Sequence, residues 1–502
     1  MGTTEQISRR GFLTTMAPRP ERKASVFTAT SVFTATNVKA GLDPFTPSTQ
    51  KPWDQKRATH LLRRTSIGVT KAEINQALTQ DPVALANQII DEAINAPKPA
   101  PPNWYPNGGS NDGNQKKEVI FGWNGEMRKL GLREKMSFFW SNHFVTAAKA
   151  YNLSSYMYQY LDVLRTHALG NFKTFTYEMG LTPAMLIYLD SIKNKDAGPN
   201  ENYARELLEL FTMGIFNQFG QENYTQDDIA NLARAFTGLR IDEATLGYYV
   251  DDKRYDFGTK TIFGQTGQFG YDEAVDIIFE ERASAIAHHV CGHIYRFFVH
   301  AEENADVVGE MASLLLANNF ELAPVMRALL SSDHFYEEAF IGARYKSPIE
   351  LLNGFVVEAG LSLDEVGEIE LYENGERLGQ KLFDPPNVAG WPGYQSWLST
   401  GTLPLRWNYL SNMINGSSEY AAANLIPLAK EMSNPNDPYA LSRELADYLL
   451  PQTLDEEEYE ILSEVLLDGM PDYEWNIEEQ VANIRLRGYM TYLTQLPQFQ
   501  LT

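Results

Sequence analysis

From about Trp53 onward the apolar positions recur at spacings of three and four, the signature of helices that bury one side. Arg57 to Thr65 reads as a helix closed by Gly68, and Thr70 to Glu73 forms a capping box opening a second helix with Ile74, Ala77 and Leu78 on its apolar side. Met136, Phe139, Trp140 and His143 stand at i, i+3, i+4 and i+7, so a helix over Leu132 to Thr146 buries all four on one face. Ser154 to Leu169 and Phe172 to Leu189 continue the pattern. Thr225 to Asp228 is a second capping box, and its helix runs through Ile229, Leu232, Ala233 and Phe236 to a stop at Gly238. Further helices follow at Asp272 to Phe279, Ala283 to Phe298, Ala305 to Ala317, Pro324 to Ser331 and Ile349 to Ala359. The acidic block Asp455 to Glu458 marks another helix start.

The period fails in three places. Residues 96 to 115 hold too many prolines and glycines for a regular element, and Phe383 to Gly401 is a Pro/Gly/Trp loop. Between Gly247 and Gly270 the residues Tyr248 to Val250, Tyr255 to Phe257 and Thr261 to Phe263 predict short strands or an irregular hairpin. The expected fold is therefore mainly α: one large multi-helix globular unit over residues 50–502, with a small irregular or β insertion near 247–270.

The first 45 residues follow another logic. Ser8-Arg9-Arg10-Gly11-Phe12-Leu13 looks like a twin-arginine export signal, although Pro18, Arg19 and Pro20 interrupt the apolar stretch that should follow. A perfect tandem hexapeptide, Ser25 to Thr30 and Ser31 to Thr36, comes next. Residues 1–45 are thus expected to be a leader-like disordered tail. They address the protein to the periplasm or the outside, or leave it cytoplasmic if the leader does not function. No run of 18 apolar residues occurs, so no transmembrane segment is expected.

Composition narrows the partners. Of 502 residues, 42 are Lys or Arg and 65 Asp or Glu, a net charge of −23 that repels phosphate backbones and makes nucleic acid an unlikely partner. The single cysteine, Cys291, rules out an internal disulfide and a multi-thiolate metal site. The chain also lacks Gly-x-Ser-x-Gly, Gly-Lys-Ser/Thr and Gly-x-Gly-x-x-Gly, which disfavours the commonest hydrolase and nucleotide-dependent classes.

The densest polar stretch is Asn200 to Gly214. On a helix, Tyr203, Leu207, Leu210, Phe211 and Gly214 share the apolar side, while Glu201, Arg205 and Glu209 form one charged stripe with Glu206 at the boundary between faces. An exposed stripe is an ion-pair ladder. Turned inward, it would be paired carboxylates around a guanidinium, the apparatus of proton transfer. His143 sits among aromatics as a buried histidine. His289 and His293 have the i, i+4 spacing of zinc-binding helices, but Val290 stands where the metalloprotease motif has glutamate, and Ile286, Val290, Ile294 and Phe297 assign the histidines to the helix's polar flank. Trp391 and Trp397 are either core plugs or rings presented to a sugar or apolar ligand. Lys260, Arg234 and Arg240 either bind an anion or balance nearby carboxylates.

These stretches carry a resemblance. Asn200-Glu-Asn-Tyr-Ala-Arg-Glu-Leu-Leu-Glu-Leu, His60-Leu-Leu-Arg-Arg64 with Gly68, Arg133-Glu-Lys to Trp140-Ser-Asn-His-Phe144, Tyr224 to Asp228 and Ala235 to Gly238, and Lys260 with Gly264 resemble the bacterial "domain of unknown function 1800" family. So do Pro385 to Gly393 with Trp397, Arg406-Trp-Asn408 and Pro497 to Gln500, giving collinear coverage of residues 50–502. The resemblance implies a mainly helical, often exported protein with no established reaction, substrate or cofactor. At Tyr255-Asp256 the chain departs from the His-Asp pair that family members tend to show, which counts against an essential histidine there.

Two functional classes remain open. In the first, an enzyme or ligand-processing protein uses Glu201, Glu206, Glu209 and His143 as catalytic groups. Its ligand-binding groups are Arg205, Asn202, Asp228, Lys260, Trp391, Trp397 and Arg406, with a small molecule or glycan as ligand. In the second, a non-catalytic cell-envelope or scaffold protein meets an envelope partner, and the same charges fix helix register. No metal ligand set is assigned and the cofactor stays open.

Overall fold

The computed structural model describes residues 41–106 and 113–502, and among them the chain forms twenty-one α-helices and two small antiparallel two-stranded sheets. The leader-like residues 1–40 and residues 107–112 of the Pro/Gly loop lie outside the described residues. No helix of the described residues is long and apolar enough to cross a membrane.

Caps set the helix boundaries. Reciprocal capping boxes open the helices Lys71–Ala77 (Thr70 with Glu73), Gln226–Ala235 (Thr225 with Asp228), Pro348–Glu358 (Ser347 with Glu350) and Glu456–Leu467 (Asp455 with Glu458). The helix expected over Phe172 to Leu189 is split into Phe172–Gly180 and Pro183–Tyr188, because Thr182 caps a new start and Pro183 fills its first position. The helix expected over Leu132 to Thr146 ends at Ser141. Asn142 stops it, since its side chain is committed to a distant loop.

The β insertion begins earlier than the pattern suggested. β1 (Leu239–Asp242) pairs with β2 (Gly247–Val250), and β3 (Lys260–Ile262) pairs with β4 (Gln265–Gly267). Most helices surround two apolar cores: one drawn from Phe45 to Phe383, the other from Leu351 to Phe499 together with Val69 and Ile74. The Gln55–Thr65 helix ties them together. Arg63 pairs with Glu358 at 2.7 Å and donates to the carbonyl oxygens of Tyr448 and Leu449, while Tyr448 Oη donates to Val69 and Glu358 carbonyls. At the C-terminal end, Tyr345 bridges Leu501 and Lys346 N donates to Gln500 O.

The boundary expected at residue 45 lies too late. Leu42 N donates to Glu310 and Phe45 N to Ser331 O, and the Phe45 ring is 3% exposed with its centroid 4.5 Å from that of Tyr336. Phe45→Ala should cost about 3–5 kcal/mol, the usual cost of emptying a buried aromatic site. Urea denaturation of the variant checks this, and a loss below about 1 kcal/mol would return residues 41–45 to the tail.

Candidate functional site

The charged stripe after Pro199 faces outward, against the inward reading. Arg205 pairs with Glu201 at 3.0 Å and Glu209 at 3.3 Å, and the three side chains are 37%, 38% and 22% exposed for Glu201, Arg205 and Glu209 respectively. Gln226 Nε2 closes the ladder by donating to Glu201. The Asn202–Glu206 helix widens into a π-helical turn over Leu207–Thr212, and Leu207, Leu208 and Phe211 are buried while the stripe stays on the outer side. Such exposed pairs contribute a few tenths of a kcal/mol each. Glu206 is half-buried, and burial, reinforced by Glu209, raises its carboxyl above the usual range against the pull of Arg205. Asn202 is exposed.

The other polar candidates serve the backbone. Asp228 caps its helix and accepts from Phe263 N at 2.8 Å. Lys260 Nζ, on a side chain 1% exposed, donates to the carbonyl oxygens of Asp256 and Gly258, and Asp256 is held by Arg234 at 2.6 Å. Arg406 is fully buried, donating from Nε to Gln500 and from Nη2 to Lys346 O.

His143, Trp391 and Trp397 do come together. They line a cavity of about 270 Å³ bounded by the end of the Leu132–Ser141 helix, the Ala283–Phe298 helix, the start of the Pro348–Glu358 helix and the 389–397 loop. Asn142 fastens that loop. Its Oδ1 accepts from Trp391 N at 2.7 Å and its Nδ2 donates to Trp391 O at 3.1 Å. A β-carbon on Gly390, which has φ +78°, would fall 2.2 Å from Asn142 Oδ1, so the close approach requires glycine. Tyr394 is held at φ 52°, an uncommon conformation for a bulky residue, and its ring lines the cavity beside the tryptophans.

One wall of the cavity is histidine. His143 stacks edge-on to His293 at 5.3 Å between centroids, and His293 lies 4.4 Å from His289. The i, i+4 histidines therefore face His143 instead of marking a polar flank. The π-helical turn explains their protonation. Its last carbonyl groups have no partner within the helix, and His143 Nε2 meets Phe211 O at 2.9 Å while His289 Nε2 meets Leu210 O at 3.3 Å. A ring that donates from Nε2 carries its lone pair on Nδ1. Among the described residues, Nδ1 of His143 is buried without a partner. Burial, with the neighbouring His289, pushes His143 down to about 3, and burial brings His289 to about 4 and His293 well below its ordinary value. All three are neutral imidazoles at pH 7. The described residues hold no group of three or more His, Cys, Asp or Glu arranged to take a metal ion.

Cationic groups stand at and behind the cavity wall, where Arg296, Arg344 and Glu350 are lining residues. Glu350 is 7% exposed and pairs with Lys135 at 2.6 Å, while its other oxygen accepts from Ser347 N at 2.9 Å. Burial would raise its carboxyl, but Lys135 and Arg344 outweigh that and hold it well below the usual range. Around this one carboxylate stand Lys135, Arg344 and Arg64, 2%, 7% and 1% exposed. Arg64 gives one hydrogen bond to Phe340 O and Arg344 lies 4.8 Å over the Phe297 ring. Arg296, also lining the cavity, pairs with Glu303. Burial, and then the charge of Arg344, drive the Arg64 guanidinium well below its ordinary value.

Arg64, Lys135, Arg296, Arg344, Glu350, His293 and Tyr394 are not among the site residues the sequence predicts. Arg64 and Lys135 stand inside stretches that carry the resemblance, Ser347-x-x-Glu350 has the capping-box spacing, His293 has the i, i+4 spacing with His289, and Tyr394 lies in the Pro/Gly/Trp loop, so five of the seven left a signal. Arg344 left none.

The fold and site together define a large, mainly helical protein with a small cavity walled by aromatic, imidazole and cationic side chains. The chain belongs to the family described as "Protein of unknown function (DUF1800)", whose model matches residues 60–501. No curated protein and no solved structure matches it.

Proposed function

We propose that the protein is an exported enzyme or ligand-processing protein and that its site is this cavity, not the Glu201–Glu209 ladder. The observation that carries the reading is the convergence of four separate chain segments on one partly open cavity. Trp391, Trp397 and Tyr394 supply area for a ring or sugar face. His143 offers a neutral imidazole whose Nδ1, buried without a partner among the described residues, can accept a hydrogen bond from a bound group. Glu350 and Lys135 are locked to one another and hold the wall in place. Export through the Arg9-Arg10 segment belongs to the same proposal.

The test is a small-molecule thermal-shift screen on the parent and on Ala389→Trp, which crowds the mouth at an exposed position without emptying the core. Ligands of the cavity should raise the melting temperature of the parent and not of Ala389→Trp. Glu201→Gln and Glu209→Gln should bind as the parent does. If instead every hit binds Ala389→Trp unchanged, or is lost in Glu201→Gln, the cavity is not the site.

A further inference from the structure

We propose that the cavity is built for a compact organic anion, a sugar acid or hydroxy acid whose carboxylate sits against Arg344 while its body lies along Trp391 and Trp397. This rests on the cavity being the binding site, and it adds the class of ligand.

Charge does not balance in this buried place. Lys135, Arg64 and Arg344 bring three cations to a single carboxylate, Glu350, and that carboxylate is already engaged by Lys135 and the Ser347 amide. Arg296 adds a fourth cation, but Glu303 balances it. Two positive charges are left over. A buried charge without a counter-charge is among the most costly features a fold can retain. Among the described residues, Nε of Arg344 and both Nε and Nη1 of Arg64 are buried without a hydrogen-bond partner. Arg344 lines the cavity, so a ligand there can reach its guanidinium, the group best matched to a planar carboxylate or other oxyanion. Burial first, and then the charge of Arg344, lower the Arg64 guanidinium well below its ordinary value, with Glu350 pulling the other way.

The other walls narrow the class. A site for a free inorganic anion needs no aromatic wall, whereas this one spends two nearly buried tryptophans and a tyrosine in a strained backbone conformation on it. At about 270 Å³ the cavity lies near the lower end of small-molecule sites, a size that suits one sugar-sized ring. The protein as a whole carries −23, so an interior surplus of positive charge is a local device and not a consequence of composition.

The experiment titrates the purified full chain with glucuronate, glucose, inorganic phosphate and sulfate, reading melting temperature and heat of binding. The variants are Arg344→Met, Arg344→Lys and Ala389→Trp. Glucuronate should bind the parent at least tenfold more tightly than glucose, weaken at least tenfold in Arg344→Met, fall to an intermediate affinity in Arg344→Lys, which keeps the charge but not the planar fork, and be lost in Ala389→Trp. Ligand-free Arg344→Met should melt no lower than the parent, because the substitution removes an unpaired buried charge; a purely structural arginine would give the opposite shift. Equal binding of glucuronate to parent and Arg344→Met overturns the inference, and if Arg344→Met fails to fold, unchanged binding in Ala389→Trp does so. Glucose binding as tightly as glucuronate, and lost in Ala389→Trp, leaves the cavity as the site but removes the anion. Phosphate or sulfate binding without glucuronate removes the organic ligand. No binding by any of the four overturns the inference and leaves the wider screen to judge the cavity.

Discussion

Glu350→Gln is expected to destabilise the protein by about 3–5 kcal/mol, among the largest losses open to a single polar substitution. The side chains are nearly equal in volume, so packing survives and the loss isolates the charge. Glutamine can still accept from Ser347 N, but Lys135, Arg64 and Arg344 would then face one another with no carboxylate among them. Urea denaturation at pH 7 measures the effect. The double variant Glu350→Gln/Arg344→Met should recover part of it, because neighbouring charges couple and removing one cation relieves the others. A loss below about 1 kcal/mol in the single variant would mean that the buried cations do not depend on Glu350.

Acid should unfold the protein by way of its histidines. His143 is held at about 3 by burial and the neighbouring His289, and burial holds His289 at about 4, both below the value of about 6.5 in an unfolded chain. The unfolded state therefore takes up protons first. Stability from these rings is complete above pH 6.5 and falls as pH drops through the window from 6.5 to 3. At 1.36 kcal/mol per pKa unit, His143 alone accounts for about 5 kcal/mol across that window, with His289, His293 and the buried His60 acting in the same direction. Denaturation midpoints at pH 7, 6, 5 and 4 should show a decline steeper than one proton's worth below pH 6. A flat profile down to pH 4 would show that the imidazoles reach solvent and titrate normally.

The fold was largely legible because helices announce themselves through period and caps. The capping boxes at Thr70 and Thr225 and the helices over 283–298 and 305–317 stand where spacing put them. The charged stripe shows what period cannot give. An α-helical wheel assigns Glu201, Arg205 and Glu209 to one face, but it does not say whether that face meets water, and the π-helical turn after Glu206 alters the register midway. His289 and His293 fail for a related reason. Core spacing along their helix is satisfied by Ile286, Val290 and Ile294, yet His293, Arg296 and Phe297 face the cavity and His289 packs beside His293. Arg344 and Glu350 meet Tyr394 only when distant segments come together, and pairwise periodicity carries no information about that meeting. Trp391 and Trp397 were recognisable because aromatics gathered in a Pro/Gly loop have two uses, and the structure puts both rings nearly buried on the cavity wall.

The most direct measurement is a crystal structure of the full chain soaked in glucuronate, the compact organic anion of the proposal. The expected result is ligand density within the cavity, with the carboxylate at hydrogen-bonding distance from the Arg344 guanidinium and the ring along Trp391 and Trp397. An empty cavity with Arg344 turned away from it, or glucuronate bound only at the outer surface, would contradict it.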